Sequence, residues 1–425
     1  MPTSTVQGND WPTYHRDVTR SGYVAGERDP QQLTRGWTAH LDGAVYAEPL
    51  VVNGKVIVAT EGDSIYALDA NTGQVKWHAQ LGTPQPQPQL PCGDINPLGI
   101  TGTPVYDPAT KLIFAVAEIQ GPQHILFGVD ANTGQVKLRR NVDPSNADPK
   151  PYQQRAALVL SQGKVYWSYG GLAGDCGQYV GTVMGLATNG QGPLLSYQVP
   201  TPREGGIWTP SGLVADGSGN IYATVGNGAV EQGTNWDHSD SVLRLSPTLK
   251  LEDAFAPQQW AQDNANDADL GSMAPTLLPN DLIFVAGKSG QGYTLHMNAL
   301  GGVGGQIQAT QVCDGQAFGG TANVGMTIIV PCTSGLRQVQ VSADGQMTLG
   351  WQAPRAITFP PVIGGHTVYS MQANGTLNAL NLDTGSIRTT INIGGTPLPH
   401  FDTPTISDGK IFVGTNTGVA EVNIS

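Results

Sequence analysis

The chain has 425 residues, with 21 Lys+Arg against 33 Asp+Glu and a formal net charge of −12. Only 13% of residues are charged, about half the usual share, while Gly and Pro are abundant. The acidic balance, with no basic run, excludes the nucleic-acid-binding classes and speaks against an anionic membrane surface. No stretch approaches the roughly 20 apolar residues of a membrane-spanning helix.

Residues 1–32 lie outside any repeat. The start, Met-Pro-Thr-Ser-Thr, lacks the apolar core of a signal peptide. Asp10-Trp11-Pro12-Thr13-Tyr14-His15-Arg16 reads as an ordered arm packed on the rest of the chain. Leu33 to Leu41 is an isolated strand. Glu48 to Val52, the turn Asn53-Gly54 and Lys55 to Thr60 then read as strand, turn, strand. Ser64 to Trp77 completes the unit: Ile65-Tyr66-Ala67-Leu68 has the period of a strand, Asn71-Thr72-Gly73 turns the chain, and Val75 and Trp77 begin the return.

That segment returns at Phe127 to Lys137 and, more loosely, at Leu377 to Gly385. A copied segment means a copied structural unit. Matching inner strands begin near Glu48, Thr103, Ala156, Ser211, Ala274, Gly320, Pro360 and Thr403. The pattern predicts an all-β fold, an eight-bladed propeller of four-stranded antiparallel blades spanning 33–425, with 1–32 as an arm. The last unit has only Thr403–Ser407, Lys410–Thr415 and Val419–Asn423. Its missing outer strand is expected to be Leu33 to Leu41, which closes the ring. Thr83 to Leu90 is an extended excursion, and long insertions sit at Gly170–Gly181 and Asn227–Asp240.

Cys92, Cys176, Cys313 and Cys332 fit neither a zinc site nor a haem-attachment motif. Two disulfides, Cys92–Cys176 and Cys313–Cys332, are expected in an exported protein; four inert buried thiols are the alternative.

Asp-x-x-Thr-Gly-x-x-x-Trp hairpins on an eight-unit ring resemble the propeller of quinoprotein alcohol dehydrogenases and the wider PQQ-like repeat proteins, which include polyvinyl-alcohol-dehydrogenase-like and outer-membrane-assembly propellers. In the enzymes of that group, a Trp preceding an inner strand stacks on the quinone, as Trp208 would. Their Gly-Asn turn binds the metal, as Gly226-Asn227 would. Their Asp-x-x-Gly/Ala segment carries the general base, matched by Asp267, and lanthanide-using forms add a second Asp, matched by Asp269. Their Lys/Arg-x-Gly donates to the quinone oxygens, as Lys288 would. The resemblance thus implies PQQ held by Trp208, Lys288, Glu48 and Arg155, and Ca²⁺ or a lanthanide held by Asn227, Asp267 and Asp269. It further implies a small-molecule or polymer substrate, an external electron acceptor, and a secreted, periplasmic or cell-surface location.

The pattern breaks in blade two. Pro91-Cys92-Gly93-Asp94-Ile95-Asn96-Pro97-Leu98-Gly99 resembles the family's Cys-Cys-Asp-x-x-Asn-Arg-Gly, but Gly93 replaces the second Cys and Pro97-Leu98 stands in place of the Arg. Each site residue also has a plain structural alternative. Trp208 could cap a strand, Asn227 could serve a turn, Asp267 and Asp269 could belong to a solvated loop, and Lys288 could be an exposed turn lysine. Tyr46, His400 and Asp402 join Glu48 and Arg155 at inner-strand starts, and a satisfied wall histidine is the commoner reading for His400. A non-catalytic secreted propeller with a relic quinone pocket, binding a ligand, glycan or protein, is therefore the competing expectation.

Overall fold

The repeated turns show how the ring is held together. Asp69, Asp130 and Asn381 accept the backbone N–H groups two and three residues on, at 2.9–3.1 Å. Gly73, Gly134 and Gly385 then take φ of 70°, 74° and 70°. A Cβ on these glycines would sit 2.5–2.7 Å from the indoles of Trp37, Trp77 and Trp351. Each tryptophan comes from the outer strand of the preceding blade, and its Nε1 donates to Ala70, Ala131 or Leu382 O beside the turn. Every such turn is thus a dock for the neighbouring blade.

The computed structural model describes residues 8–144, 148–229 and 235–425. They form eight antiparallel sheets, the blades of a propeller. Leu33–His40 pairs antiparallel with Gly418–Ile424, so the chain's beginning completes the last blade. Three sheets gain a fifth strand. Tyr23–Val24 lies parallel beside Val362–Gly364, Gly302–Val303 beside Leu251–Ala256, and Tyr152–Gln153 extends blade three. Second strands such as Lys55–Ala59 are buried on both faces because each blade is sandwiched between two others. Outer strands such as Val75–Gln80 alternate between exposed and buried. Between blades one and two, Ile57, Ile65 and Trp77 pack against Ile113, Ile125 and Phe127. Part of the Asn227–Asp240 insertion, residues 230–234, lies outside the described residues.

Residues 9–24 seal one face of the ring. Trp11 exchanges both backbone bonds with Val51, Pro12 O accepts from Tyr106 N, and Val18 O from Ala215 N. Ser21 O accepts from Asn323 N, and Gly22 O from Ile363 N. Each bond satisfies a group at an inner-strand edge. The opposite rim, where second strands finish, is the open mouth. Cys92–Cys176 and Cys313–Cys332 are disulfide-bonded, which fits an oxidising compartment. Among the described residues no helix is long and apolar enough to cross a membrane.

Candidate functional site

Four segments of blades four and five meet at the mouth. Val225 and Ala286 end the second strands of those blades. Gly226 and Gly287 come next, and both press backbone to backbone on the segment Asp269–Gly271. A short helix, Trp260–Ala265, delivers that segment, and Asp267 turns it with φ 50°. Lys288 N donates to Asp269 O (2.9 Å), so the lysine follows wherever the aspartate is set.

The side chains converge on Lys288. Its Nζ is 2.5 Å from Asp267 Oδ1 and 2.7 Å from Asp269 Oδ2, and it stands 5.4 Å from the Trp208 ring centroid. Asp269 is fully buried, whereas the Asp267 side chain is 62% exposed. Burial pushes the Asp269 carboxyl up to about 6 even though Lys288 pulls against it. Burial works against the Lys288 charge as well, but Asp269 and Asp267 outweigh it and raise the ammonium pKa. Gly226 is closely packed here: a Cβ would lie 3.2 Å from Gly206 O, 3.3 Å from Trp208 Nε1 and 3.5 Å from Asp269 Oδ1. Asp269 Oδ1 has no hydrogen-bond partner among the described residues. Asn227, next in sequence to Gly226, is half-buried, and its carbonyl accepts from Gly205 N.

Glu48 makes its side-chain contacts with the arm and with blade eight. Its Oε2 takes the His15 N–H at 2.8 Å and its Oε1 the Thr405 hydroxyl at 3.3 Å. The carboxylate serves the arm because the inserted His15 amide needs a buried acceptor. Arg155 is at the mouth but not in the lysine cluster. Its Cζ is 5.0 Å from the Phe401 ring and 5.9 Å from that of Tyr46. Phe401 in turn is 6.4 Å from Trp208 and 5.6 Å from Phe318, an aromatic group across the axis. The cavity beneath Phe401 is only about 10 Å³. A far larger cleft, about 740 Å³, runs beside the arm on the sealed face, away from these groups.

Sequence reasoning passed over Asp240, Asp175, Tyr179 and Glu204 as site residues. Asp240 is 1% exposed, and its Oδ1 takes the Leu270 N–H at 2.6 Å, tying down the Asp267–Leu270 segment. Burial, then Asp269 and Asp263, push its carboxyl well up. Asp240 lay in a loop with no periodic signal. Tyr179 Oη donates to Asp175 Oδ1 at 2.5 Å. Burial raises that phenol strongly, with Asp175, Glu204 and Asp269 adding to the effect. In blade two, Cys92 pairs with Cys176 of the blade-three insertion rather than with a neighbour in sequence.

A family model described as outer membrane protein assembly factor BamB matches residues 33–173. The 1-butanol dehydrogenase (cytochrome c) of Thauera butanivorans is 27% identical over 177 residues, 40% of this chain and 24% of that protein. The quinohemoprotein alcohol dehydrogenase of Comamonas testosteroni is 25% identical over 257 residues, 57% of this chain and 34% of that protein. The chain is an eight-bladed propeller whose repeats are similar to those of PQQ-like proteins. Its matches span about a quarter and a third of those two relatives. Among solved structures, a europium-containing methanol dehydrogenase superposes with a TM-score of 0.75 at 15% identity, covering 97% of this chain and 90% of that one, a likeness of fold.

The donor chemistry of the PQQ-like propeller's mouth can be tested against such cofactors. The Trp208 face and the Lys288 cation suit a flat, electron-poor ring. For a hard cation the available donors are all oxygen: Asn227, Asp267 and Asp269, with Asp269 Oδ1 unpartnered. Among the described residues no three His, Cys, Asp or Glu side chains converge as a metal cage. Both carboxylates are paired with the Lys288 ammonium, so an ion here would have to compete with it.

Proposed function

We propose that this propeller is a quinoprotein-type dehydrogenase oxidising alcohols or sugars at the mouth between blades four and five. One observation carries the reading: Lys288 Nζ lies within 2.7 Å of both Asp267 and Asp269 while standing over Trp208. Acid–base group, fixed cation and flat ring are thereby assembled in one place. The dehydrogenase names of the two curated relatives support it. PQQ, when bound, supplies the electron sink for the hydride of the alcohol carbon. Trp208 would hold the ring, and Lys288 would supply positive charge to it as negative charge develops. Asp267, largely exposed, is the base that takes the hydroxyl proton. Asn227, Asp267 and Asp269 would hold Ca²⁺ or a lanthanide, which would compete with the Lys288 ammonium for the two carboxylates. Electrons then pass to an external acceptor in a periplasmic or secreted setting.

The test is reconstitution with PQQ and Ca²⁺ or La³⁺, following dye reduction with a panel of alcohols and sugars, with calorimetry of metal binding alongside. Quinone-dependent dye reduction is expected, falling roughly 100-fold or more in Asp267→Ala, together with weaker metal binding. The second reading, a non-catalytic propeller binding a glycan, ligand or protein, is favoured by the 10 Å³ cavity under Phe401. Failure of the wild type to bind PQQ would put that reading ahead.

A further inference from the structure

Blade eight brings one residue to the axis in a conformation that its own side chain disfavours. Phe401 has φ 65°. In that left-handed region Cβ crowds the following carbonyl, and a bulky residue there is an outlier. Phe401 lies in the segment that joins Ile387–Asn392 of blade seven to Thr405–Ser407 of blade eight. The flanks of the tip are pinned. Leu398 N donates to Ala373 O at 3.2 Å and Asp402 N to Pro399 O at 3.3 Å, and Leu398, Pro399 and Asp402 are buried. Between them, among the described residues, neither His400 nor Phe401 makes a backbone–backbone hydrogen bond. The Thr403 hydroxyl donates to Phe401 O at 3.0 Å. The tip is therefore two residues long and is held by side chains rather than by a ladder of backbone bonds.

Those side-chain contacts cross the axis. The Phe401 ring is 5.6 Å from Phe318 and 6.4 Å from Trp208, and Phe318 and Trp208 are themselves 6.4 Å apart. Arg155 Cζ stands 5.0 Å from the same ring. Such separations are direct contact between aromatic rings, so no further ring fits among the three. The partners of Phe401 are fixed by their backbones. Ala317 N and Gly319 N, on either side of Phe318, donate to Gly287 O and Ser272 O, and Ile207 N, beside Trp208, donates to Tyr169 O. A strained residue persists only where its surroundings hold it, and such residues recur at ligand clamps and switches. Here the ring contacts do the holding, and anything that replaces them releases the backbone.

We propose that Phe401 is a gate on the mouth: its ring stands where a flat ring would stack beside Trp208 and Phe318, and entry of such a ligand swings it out. The small cavity beneath Phe401 is then the closed form of the mouth. The proposal rests on the dehydrogenase reading only for the choice of PQQ as the flat ligand. Ring contacts favour the closed form and the left-handed backbone opposes it, so the bias toward closure is modest, roughly 10-fold.

Three measurements on the full chain test this, with the wild type, Phe401→Gly and Phe401→Ala. Urea unfolding needs no ligand: glycine takes φ 65° freely and alanine does not, so Phe401→Gly is expected to be the more stable of the two variants. Acrylamide quenching of Trp208, taken as the emission lost in Trp208→Phe, is expected to be several-fold weaker in the wild type than in Phe401→Gly. PQQ binding followed by stopped flow is expected to level off in rate with rising PQQ in the wild type, where opening is limiting, and to rise linearly in Phe401→Gly, with roughly 10-fold tighter binding. PQQ binding to Phe401→Gly but not to the wild type supports the gate and keeps the quinoprotein reading. PQQ binding to none of the three sinks the quinoprotein reading, and the gate is then decided by the stability order and the quenching. The proposal is overturned if Phe401→Ala is more stable than Phe401→Gly, if Trp208 is quenched equally with and without the Phe401 ring, or if PQQ binds the wild type and both variants at the same rate and affinity.

Discussion

Replacing Lys288 by Met is expected to destabilise the protein in a pH-dependent way. Methionine keeps the length of the side chain and removes the charge. In the wild type, Asp269 is fully buried and sits 2.7 Å from the ammonium. Its carboxyl is raised from 3.8 to about 6, so between those values the folded state binds the proton more tightly than the unfolded state. Stability from this group therefore falls as pH rises through that window, by about 3 kcal/mol at 1.36 kcal/mol per unit. Without Lys288 the group that pulled the pKa down is gone, and the loss extends further up the pH scale. At pH 8 the variant must either bury an uncompensated carboxylate or hold its proton against the solvent. Breaking such a pair costs about 3–5 kcal/mol. At pH 5 Asp269 is mostly neutral in both proteins, and only the exposed contact with Asp267 and the Trp208 stacking are lost, about 1 kcal/mol. Urea unfolding at pH 5 and pH 8 reads the difference directly. The double variant Asp269→Asn, Lys288→Met should recover most of the pH 8 loss, since both partners are then gone. An equal destabilisation at the two pH values would refute this account of the cluster.

Closure of the ring is expected to depend on Leu33–His40. Removing residues 1–42 should lower the thermal midpoint of the whole chain, and Trp37→Ala alone should cost about 2–3 kcal/mol, less than the about 3–5 kcal/mol of a fully buried Trp→Ala because the indole is only half-buried. A truncation that melts like the full chain would show that blade eight closes without this strand. Asp240→Ala should expose the Leu270 amide to hydrogen exchange about tenfold faster or more, from the loss of a charge-assisted or strong neutral acceptor. Asp240→Asn, which keeps the accepting oxygen, should retain the protection. Unchanged exchange in the alanine variant would remove Asp240 from the support of the site.

The sequence by itself determined what is local or periodic. Asx-Thr-Gly turns followed by a strand with a tryptophan announced the blade, and the copies of that pattern announced the ring. A last unit short of one strand, with a lone strand at Leu33 to Leu41, announced the closure. The segments bearing Trp208, Asn227, Asp267, Asp269 and Lys288 were legible because each abuts an inner or second strand, and antiparallel pairing brings those ends to one rim. Tertiary structure alone decided the rest. Glu48 begins an inner strand like its neighbours, yet the inserted arm claims its carboxylate, a contact across 33 residues that no period encodes. Asp240 lies 30 residues from the amide it holds. Trp260–Ala265, at 6 residues, is too short to show a helical period. Arg155 stands out in the sequence only as a residue at an inner-strand start. Its surroundings, the rings of Phe401 and Tyr46, appear only once the blades close. Strand and turn preferences are written along the chain, whereas the charge and hydrogen-bond state of a buried side chain is set by whichever distant segments fold against it.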